Sequence, residues 1–288
     1  DMAMKVLITG AGGQLGRALQ TVGPAHAEIV PATSADLDIG DADAVRSYVT
    51  AAAPQLLVNA AAYTAVDKAE SDAETAFRIN GEAVGYLARA AETAGARFVH
   101  VSTDFVFDGT AGIPYAPDAP TAPLGVYGAS KLRGEQEAGE GALIVRTAWV
   151  YGSRGANFVR TMLRLMAERD EVRVVADQIG TPTWATSLAE GIWKLTATGA
   201  TGLYHYTDSG AASWYDFAVA IQEEALAIGL LDRAIPILPI PSSAYLTPAR
   251  RPHYSVLDKE VTSALIGAPA AHWRSNLRLM LREVRAQG

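Results

Sequence analysis

Tyr127 and Lys131 stand four residues apart in Tyr127-Gly128-Ala129-Ser130-Lys131, a spacing that puts a phenol and an ammonium on one face of a helix. A free phenol, with a pKa of about 10, exchanges its proton reluctantly near neutrality until a neighbouring cation stabilises the anion. Lys131 is placed to do this. Upstream, Ser102-Thr103-Asp104 closes an apolar run over 98–101. A strand ending there delivers hydroxyl groups to the edge where open α/β sheets bind ligands, and Thr103 is able to hydrogen-bond a substrate carbonyl.

A third group follows the apolar residues 6–9: Gly10-Ala11-Gly12-Gly13-Gln14-Leu15-Gly16. Gly10 allows a tight turn, Gly13 lets the backbone approach a pyrophosphate, and Gly16 lets a helix pack closely on the strand. The first N–H groups of that helix and its dipole favour the phosphates of a dinucleotide. Asn59-Ala60-Ala61-Ala62-Tyr63-Thr64 offers small side chains beside which a nicotinamide ribose fits. The second strand is expected to end near Val30-Pro31-Ala32-Thr33, where neither the acid that binds an adenosine ribose nor the arginine that binds its phosphate stands. Asp38 and Ile39 are the candidates for the adenine end, and NADH and NADPH both stay open as cofactors.

The elements that must position these groups alternate in type. Strands are expected over 5–9, 28–31, 56–59, 98–102 and 143–147, and helices over 14–22, 41–53, 68–94 and 127–137, with a loop rich in Pro and Gly over 108–125. Repeated strand-helix-strand units argue for a parallel sheet covered on both faces. After Gly152 the rhythm loosens into helices over 157–168, 187–196 and 214–226 with short strands over 172–175 and 203–206, which implies a smaller second lobe. Residues 236–252 carry five prolines and read as an extended connector. The division expected is 4–150 for a dinucleotide-binding domain and 151–288 for a mainly substrate-binding lobe, some segments of which return to the first domain.

A chain of 288 residues, 49% of them hydrophobic, is long enough for a large core. Its apolar stretches are too short and interrupted for a membrane span, which implies a soluble, cytoplasmic protein without a membrane partner. The absence of cysteine excludes disulfides, thiolate zinc sites and cysteine nucleophiles, and the net charge of −7 opposes binding to nucleic acid. Asp1-Met2-Ala3 reads as an artificial leader before a natural start at Met4.

The glycine turn, the Asn59-Ala60-Ala61-Ala62 segment, Ser102-Thr103-Asp104 and Tyr127 to Lys131 together resemble the extended short-chain dehydrogenase/reductase family. Within it, NAAAYTAVDKAE (59–70), STDFVFDG (102–109), RTAWVY (146–151), NFVRTML (157–163), DQIGTPT (177–183) and RPHYSVLD (251–258) are similar to the branch that reduces 4-keto-6-deoxyhexoses carried on dTDP. These blocks span nearly the whole chain. The resemblance implies an α/β, Rossmann-type doubly wound parallel sheet with a smaller C-terminal lobe. It also implies hydride transfer from NADPH or NADH to C4 of the nucleotide sugar dTDP-4-dehydro-L-rhamnose, giving dTDP-L-rhamnose. In that scheme Tyr127 donates the proton, Lys131 holds the nicotinamide ribose and tunes Tyr127, and Thr103 polarises the ketone. Cofactor contacts fall on Gly10, Gly13, Gln14, Leu15, Gly16, Asp38, Ile39, Ala61, Ala62, Tyr63 and Thr64, and substrate contacts on Thr103, Asp104 and Trp149.

Two departures from the family pattern stand out. Some members pair through a metal bound by glutamates, one of them just past the third glycine, where this chain has Arg17-Ala18. A metal-free monomer or weak homodimer is therefore expected. The acid at the end of the second strand is the other missing feature. A dehydratase of the family would place Asp-Glu after the threonine, whereas Asp104 is followed by Phe105. A 4-epimerase lacks the block matches, and a non-catalytic dinucleotide-binding subunit would not require Thr103, Tyr127 and Lys131 together.

Overall fold

The computed structural model describes residues 3–288, so Asp1 and Met2 of the expected leader lie outside it. Six strands form the main sheet: β1 (Met4–Thr9), β2 (Ala27–Ala32), β3 (Leu56–Asn59), β4 (Arg97–Thr103), β5 (Leu143–Thr147) and an edge strand, Gly202–His205. Every neighbouring pair is parallel, in the spatial order Gly202–His205, β5, β4, β3, β1, β2. β3 and β5 are buried along their whole length, and their sequences, LLVN and LIVRT, are accordingly runs rather than alternations.

Side chains of successive strand residues point to opposite faces, so the two covering layers divide cleanly. Val6, Ile8, Val58 and Val145 pack with Leu19 of the helix Gln14–Thr21 and with Leu188, Ile192 and Trp193 of the helix Ala185–Ala197. Leu7, Leu57 and Ile144 pack on the other side with Val45 of Ala42–Ala52 and Leu87 of Ala83–Thr93. The chain passes from β1 to β2 on one side and then crosses to β3 on the other. The crevice of a doubly wound sheet forms at such a reversal, here beyond the C-terminal ends of β1 and β3.

The second half has its own core, in which Tyr151, Val159, Met166, Phe217, Ile221, Trp273 and Leu277 meet. They come mainly from the helices Phe158–Glu168, Trp214–Ala227 and Trp273–Gln287. Among the described residues no helix is long and apolar enough to cross a membrane.

Three segments differ from expectation. The helix expected over 68–94 is broken into Val66–Ala69, Ala73–Phe77, a π-helical turn Arg78–Glu82, and Ala83–Thr93. The wide turn buries Asn80, and its carbonyl lies where a Cβ on Gly134 would come within 2.1 Å, so the helix Val126–Glu137 crosses it at glycine distance. The proline-rich segment is more than a connector. Its residues Ile237–Ile240 pair in parallel with Val172–Val175, and Pro239 is tolerated because the pair has only two strands and the bonds use the carbonyls of Pro236 and Ile240. The strand expected over 203–206 belongs to the main sheet and covers the outer edge of β5.

Candidate active site

The glycine turn is dictated by the close passage of two chain segments. Gly10 has φ +69°, and a Cβ there would lie 2.4 Å from the Ala61 nitrogen; a Cβ on Gly16 would lie 2.1 Å from the Gly10 oxygen. Gly13 is different. Its nearest neighbour would be the Gly10 oxygen at 3.5 Å, so nothing inside the protein demands glycine there, whereas a closely approaching ligand does. Gly13 caps the helix Gln14–Thr21 without a side-chain hydrogen bond, and the first turn has no acidic residue. Its leading N–H groups thus suit an anion, and the turn fits the pyrophosphate of a dinucleotide.

The three strand ends at the crevice are tied by a buried polar layer. Thr9 Oγ1 donates to Asn59 Oδ1 (2.8 Å), which also accepts from the Ala61 amide (3.1 Å), while Asn59 Nδ2 lies 3.1 Å from His100 Nδ1. Burial, with Lys131 nearby, holds His100 well below the usual imidazole range and therefore neutral. Beyond β3 the residues Ala62, Tyr63 and Thr64 are clamped by Asn80. Asn80 Oδ1 accepts from the Tyr63 amide (2.8 Å), and its Nδ2 donates to the Tyr63 carbonyl (3.0 Å) and to Ser130 Oγ (3.1 Å). Asn80 was not among the residues singled out in the sequence, because its role depends on the π-helical turn.

β4 ends at Thr103, in register with Thr147 of β5. Thr103 Oγ1 donates to Asp104 Oδ1 (3.1 Å) and accepts from the Phe105 amide (3.2 Å), and the Phe105 ring meets the Tyr127 ring edge-on with centroids 5.3 Å apart. Thr103, Asp104 and Tyr127 therefore gather at one place, near enough for the first two to act on the titration of the phenol. Tyr127 is pushed up to about 12, chiefly by burial, with Thr103 opposing the shift and Asp104 adding to it. Asp104 is raised to about 6 by burial, offset by the Ser255 and Thr103 hydroxyls. Its Oδ2 has no partner among the described residues.

Lys131 is buried on the same helix, and its Nζ donates to the Val101 carbonyl (2.7 Å). Desolvation lowers it to about 8, with Glu135 pulling the other way. The ammonium is drawn to the strand, and Thr103 offsets part of the burial that raises Tyr127. The helix is fastened beneath by Glu135. This carboxylate accepts from Arg146 Nε and a terminal nitrogen (2.9 and 2.7 Å) and from Ser102 Oγ (2.5 Å), with only 3% of the Arg146 and 5% of the Glu135 side chain exposed.

Trp149, two residues past Thr147, has φ +51°, a conformation that costs a bulky residue on the order of 1–3 kcal/mol and concentrates at functional sites. Its indole lies flat on Trp214, ring centroids 3.6 Å apart and planes within 9°, and Gly180 is small enough to pass beneath it. Trp214 was missed in the sequence, where nothing marks a partner 65 positions away.

The remaining expected residues are distributed as follows. Gln14 reaches the second half, donating to the Ala156 carbonyl (3.2 Å) and accepting from Asn157 Nδ2 (3.0 Å). Leu15 packs against the core of the sheet face, and Ala61 against the opposite one. Asp38 is exposed and bonds the Gly40 amide and Arg78, whereas the Ile39 side chain is buried in the core. Among the described residues no three carboxylate or imidazole groups gather as a metal-ligand set, and Ala18 is buried.

A parallel doubly wound sheet with a glycine turn at its reversal point and a threonine-tyrosine pair at its C-terminal edge defines a dinucleotide-binding α/β fold of the reductase type. The chain belongs to the family described as the RmlD substrate binding domain, whose model matches residues 4–286. It is 46% identical over 298 residues to a dTDP-4-dehydrorhamnose reductase of Burkholderia thailandensis, covering 99% of this chain and 100% of that protein. A solved dTDP-4-dehydrorhamnose reductase of Clostridium acetobutylicum superposes with a TM-score of 0.92 at 38% identity, over 98% of this chain and 100% of the other. That of Bacillus anthracis, in complex with NADP, superposes with a TM-score of 0.91 at 38% identity over the same shares.

Proposed function

We propose that this chain reduces the C4 ketone of dTDP-4-dehydro-L-rhamnose to give dTDP-L-rhamnose, using NADPH or NADH. The observation that carries the reading is the gathering of the bonded Thr103-Asp104 pair and Tyr127 at the edge of the crevice that the glycine turn opens. When bound, the reduced dinucleotide supplies the hydride. Gly10, Gly13, Gln14, Leu15 and Gly16 would hold its phosphates, Ala61, Ala62, Tyr63 and Thr64 would border its ribose, and Asp38 and the Ile39 backbone would lie toward its adenine end. Lys131 would anchor the nicotinamide ribose from its fixed place on Val101.

Tyr127 gives its proton to the oxygen that becomes the new hydroxyl. A phenol held at about 12 stays protonated until that oxygen carries charge, which suits a donor more than a base. Thr103 turns its one hydroxyl proton from Asp104 to the carbonyl, its oxygen kept in place by the Phe105 amide. Trp149, backed by Trp214, forms a flat wall for the sugar nucleotide. Residues 4–150 serve the dinucleotide and 151–288 mainly the substrate. The candidate groups all lie in one chain, and the reading is completed by a monomer or weak homodimer in the cytoplasm.

The test follows nicotinamide absorbance while the protein is mixed with NADPH or NADH and the keto sugar nucleotide, generated in place by the preceding enzymes. Substrate-dependent oxidation is expected. Tyr127→Phe is expected to lower turnover by roughly 10²–10⁴-fold while dinucleotide binding persists. Full activity in that variant would remove Tyr127 from its role.

A further inference from the structure

Trp149 is held where its own backbone does not favour it. It follows Thr147, which is in register with Thr103, by two residues, so it stands at the edge of the sheet that carries Thr103. The chain passes through φ +51° there, a region that a bulky side chain rarely enters. Its carbonyl accepts from the Thr183 amide (3.0 Å), where Val150–Tyr151 pairs in parallel with Thr183–Trp184. These bonds fix the backbone and leave the ring to its neighbours. A Cβ on Gly180 would come within 2.7 Å of indole Cε2 and 2.8 Å of Nε1, so position 180 gives the indole room but no side chain to hold it. Trp214 supplies the hold. Among the described residues it is the one aromatic ring stacked on Trp149, face to face at 3.6 Å.

Trp214 itself is placed without help from Trp149. It opens the helix Trp214–Ala227, whose start is set by a reciprocal cap: Ser213 Oγ accepts from the Asp216 amide (2.9 Å), and Asp216 Oδ2 accepts from the Ser213 amide (3.0 Å). The two residues before it, Ala212–Ser213, pair antiparallel with Ile179–Gly180, which ties the helix start to the glycine that admits the indole. Phe158 and Phe217 flank the Trp214 ring at centroid distances of 4.8 and 6.4 Å. The pair is therefore unequal. Trp214 is the anchored member, and Trp149 is the strained member that rests on it.

We propose that Trp214 is a positioning residue for the sugar nucleotide: it acts through Trp149, keeping that indole in the left-handed backbone position in which it borders the deoxysugar. Trp214 has no part in holding the dinucleotide. This rests on the reading of Trp149 as the wall of the substrate site.

The experiment measures kcat, KM for the keto sugar nucleotide and dinucleotide affinity in wild type, Trp214→Phe, Trp214→Leu, Trp149→Leu and the double leucine variant. Trp214→Leu is expected to raise KM about tenfold with kcat changed less than about threefold and dinucleotide affinity unchanged. Trp214→Phe keeps a ring for the stack and should recover most of that loss. Because Trp214 acts through Trp149, the double variant should be no worse than Trp149→Leu alone. Gly180→Ala tests the same point should Trp214→Leu fail to fold, since its methyl group displaces the indole while Trp214 stays intact; KM should again rise with dinucleotide affinity kept. An unchanged KM in Trp214→Leu, an equal loss of dinucleotide affinity, or additive effects in the double variant each overturn the proposal. An unchanged KM in Trp149→Leu overturns the reading of Trp149 and the proposal with it, an outcome distinct from a rise in Trp149→Leu that Trp214→Leu does not share.

Discussion

The hydroxyl of Thr103 has one proton, and in the free protein it goes to the Asp104 carboxylate. How firmly it is held there depends on the protonation of Asp104. Its pKa stands at about 6 in the fold against 3.8 when unburied, so folding favours the protonated carboxyl. Below about pH 4 the acid is protonated whether the chain is folded or not, and burial costs nothing extra. Between about 4 and 6 the unfolded chain releases its proton while the folded one retains it, so this group removes stability as pH rises and then levels off. Asp104→Asn should abolish that loss. The unfolding free energies of variant and wild type from urea titrations are expected to diverge from pH 4 to pH 7, by up to roughly 3 kcal/mol in favour of the variant. A difference that stays flat with pH would mean that Asp104 is not raised.

The helix Val126–Glu137 carries both Tyr127 and Lys131, and its fastening is polar as well as apolar. Gly128 and Gly134 let it pass against the carbonyls of Phe105 and Asn80, Ser130 meets Asn80, and Glu135 is clasped by Arg146 and Ser102. Removing one member of a buried pair strands the other, so Glu135→Gln is expected to destabilise the fold by about 3–5 kcal/mol. Glu135→Leu combined with Arg146→Met should recover most of that loss in urea denaturation, since it leaves no buried charge unpaired. These ties also mark how far the sequence was legible. The glycine turn, the strand-helix alternation and the four-residue Tyr-Lys spacing are local patterns and could be read directly. The direction of the Lys131 ammonium could not, because its acceptor on Val101 lies thirty positions upstream. The break within 68–94 was hidden for the same reason: the π-helical turn is held by Asn80 bonding Tyr63 and Ser130, which only the fold brings near.

The whole molecule is less divisible than a boundary near residue 150 suggests. The sixth strand, Gly202–His205, and the helix Ala185–Ala197 belong to the sheet layer, and Gln14 of the glycine turn is bonded to Ala156 and Asn157. A fragment of residues 4–150 would expose the backbone edge of β5 and the apolar face that Leu188, Ile192 and Trp193 cover. Such a fragment is expected to aggregate or to lack a cooperative unfolding transition. A soluble fragment with a sharp thermal transition would contradict this. The late arrival of that strand also sets a timetable. At synthesis rates of roughly 5–20 residues per second, the 58 positions between Thr147 and His205 take on the order of 3–12 s to emerge after β5 has been made. Throughout that interval the nascent sheet has an open edge, so ribosomes stalled before Gly202 would release the form of this chain most prone to pair with a neighbour.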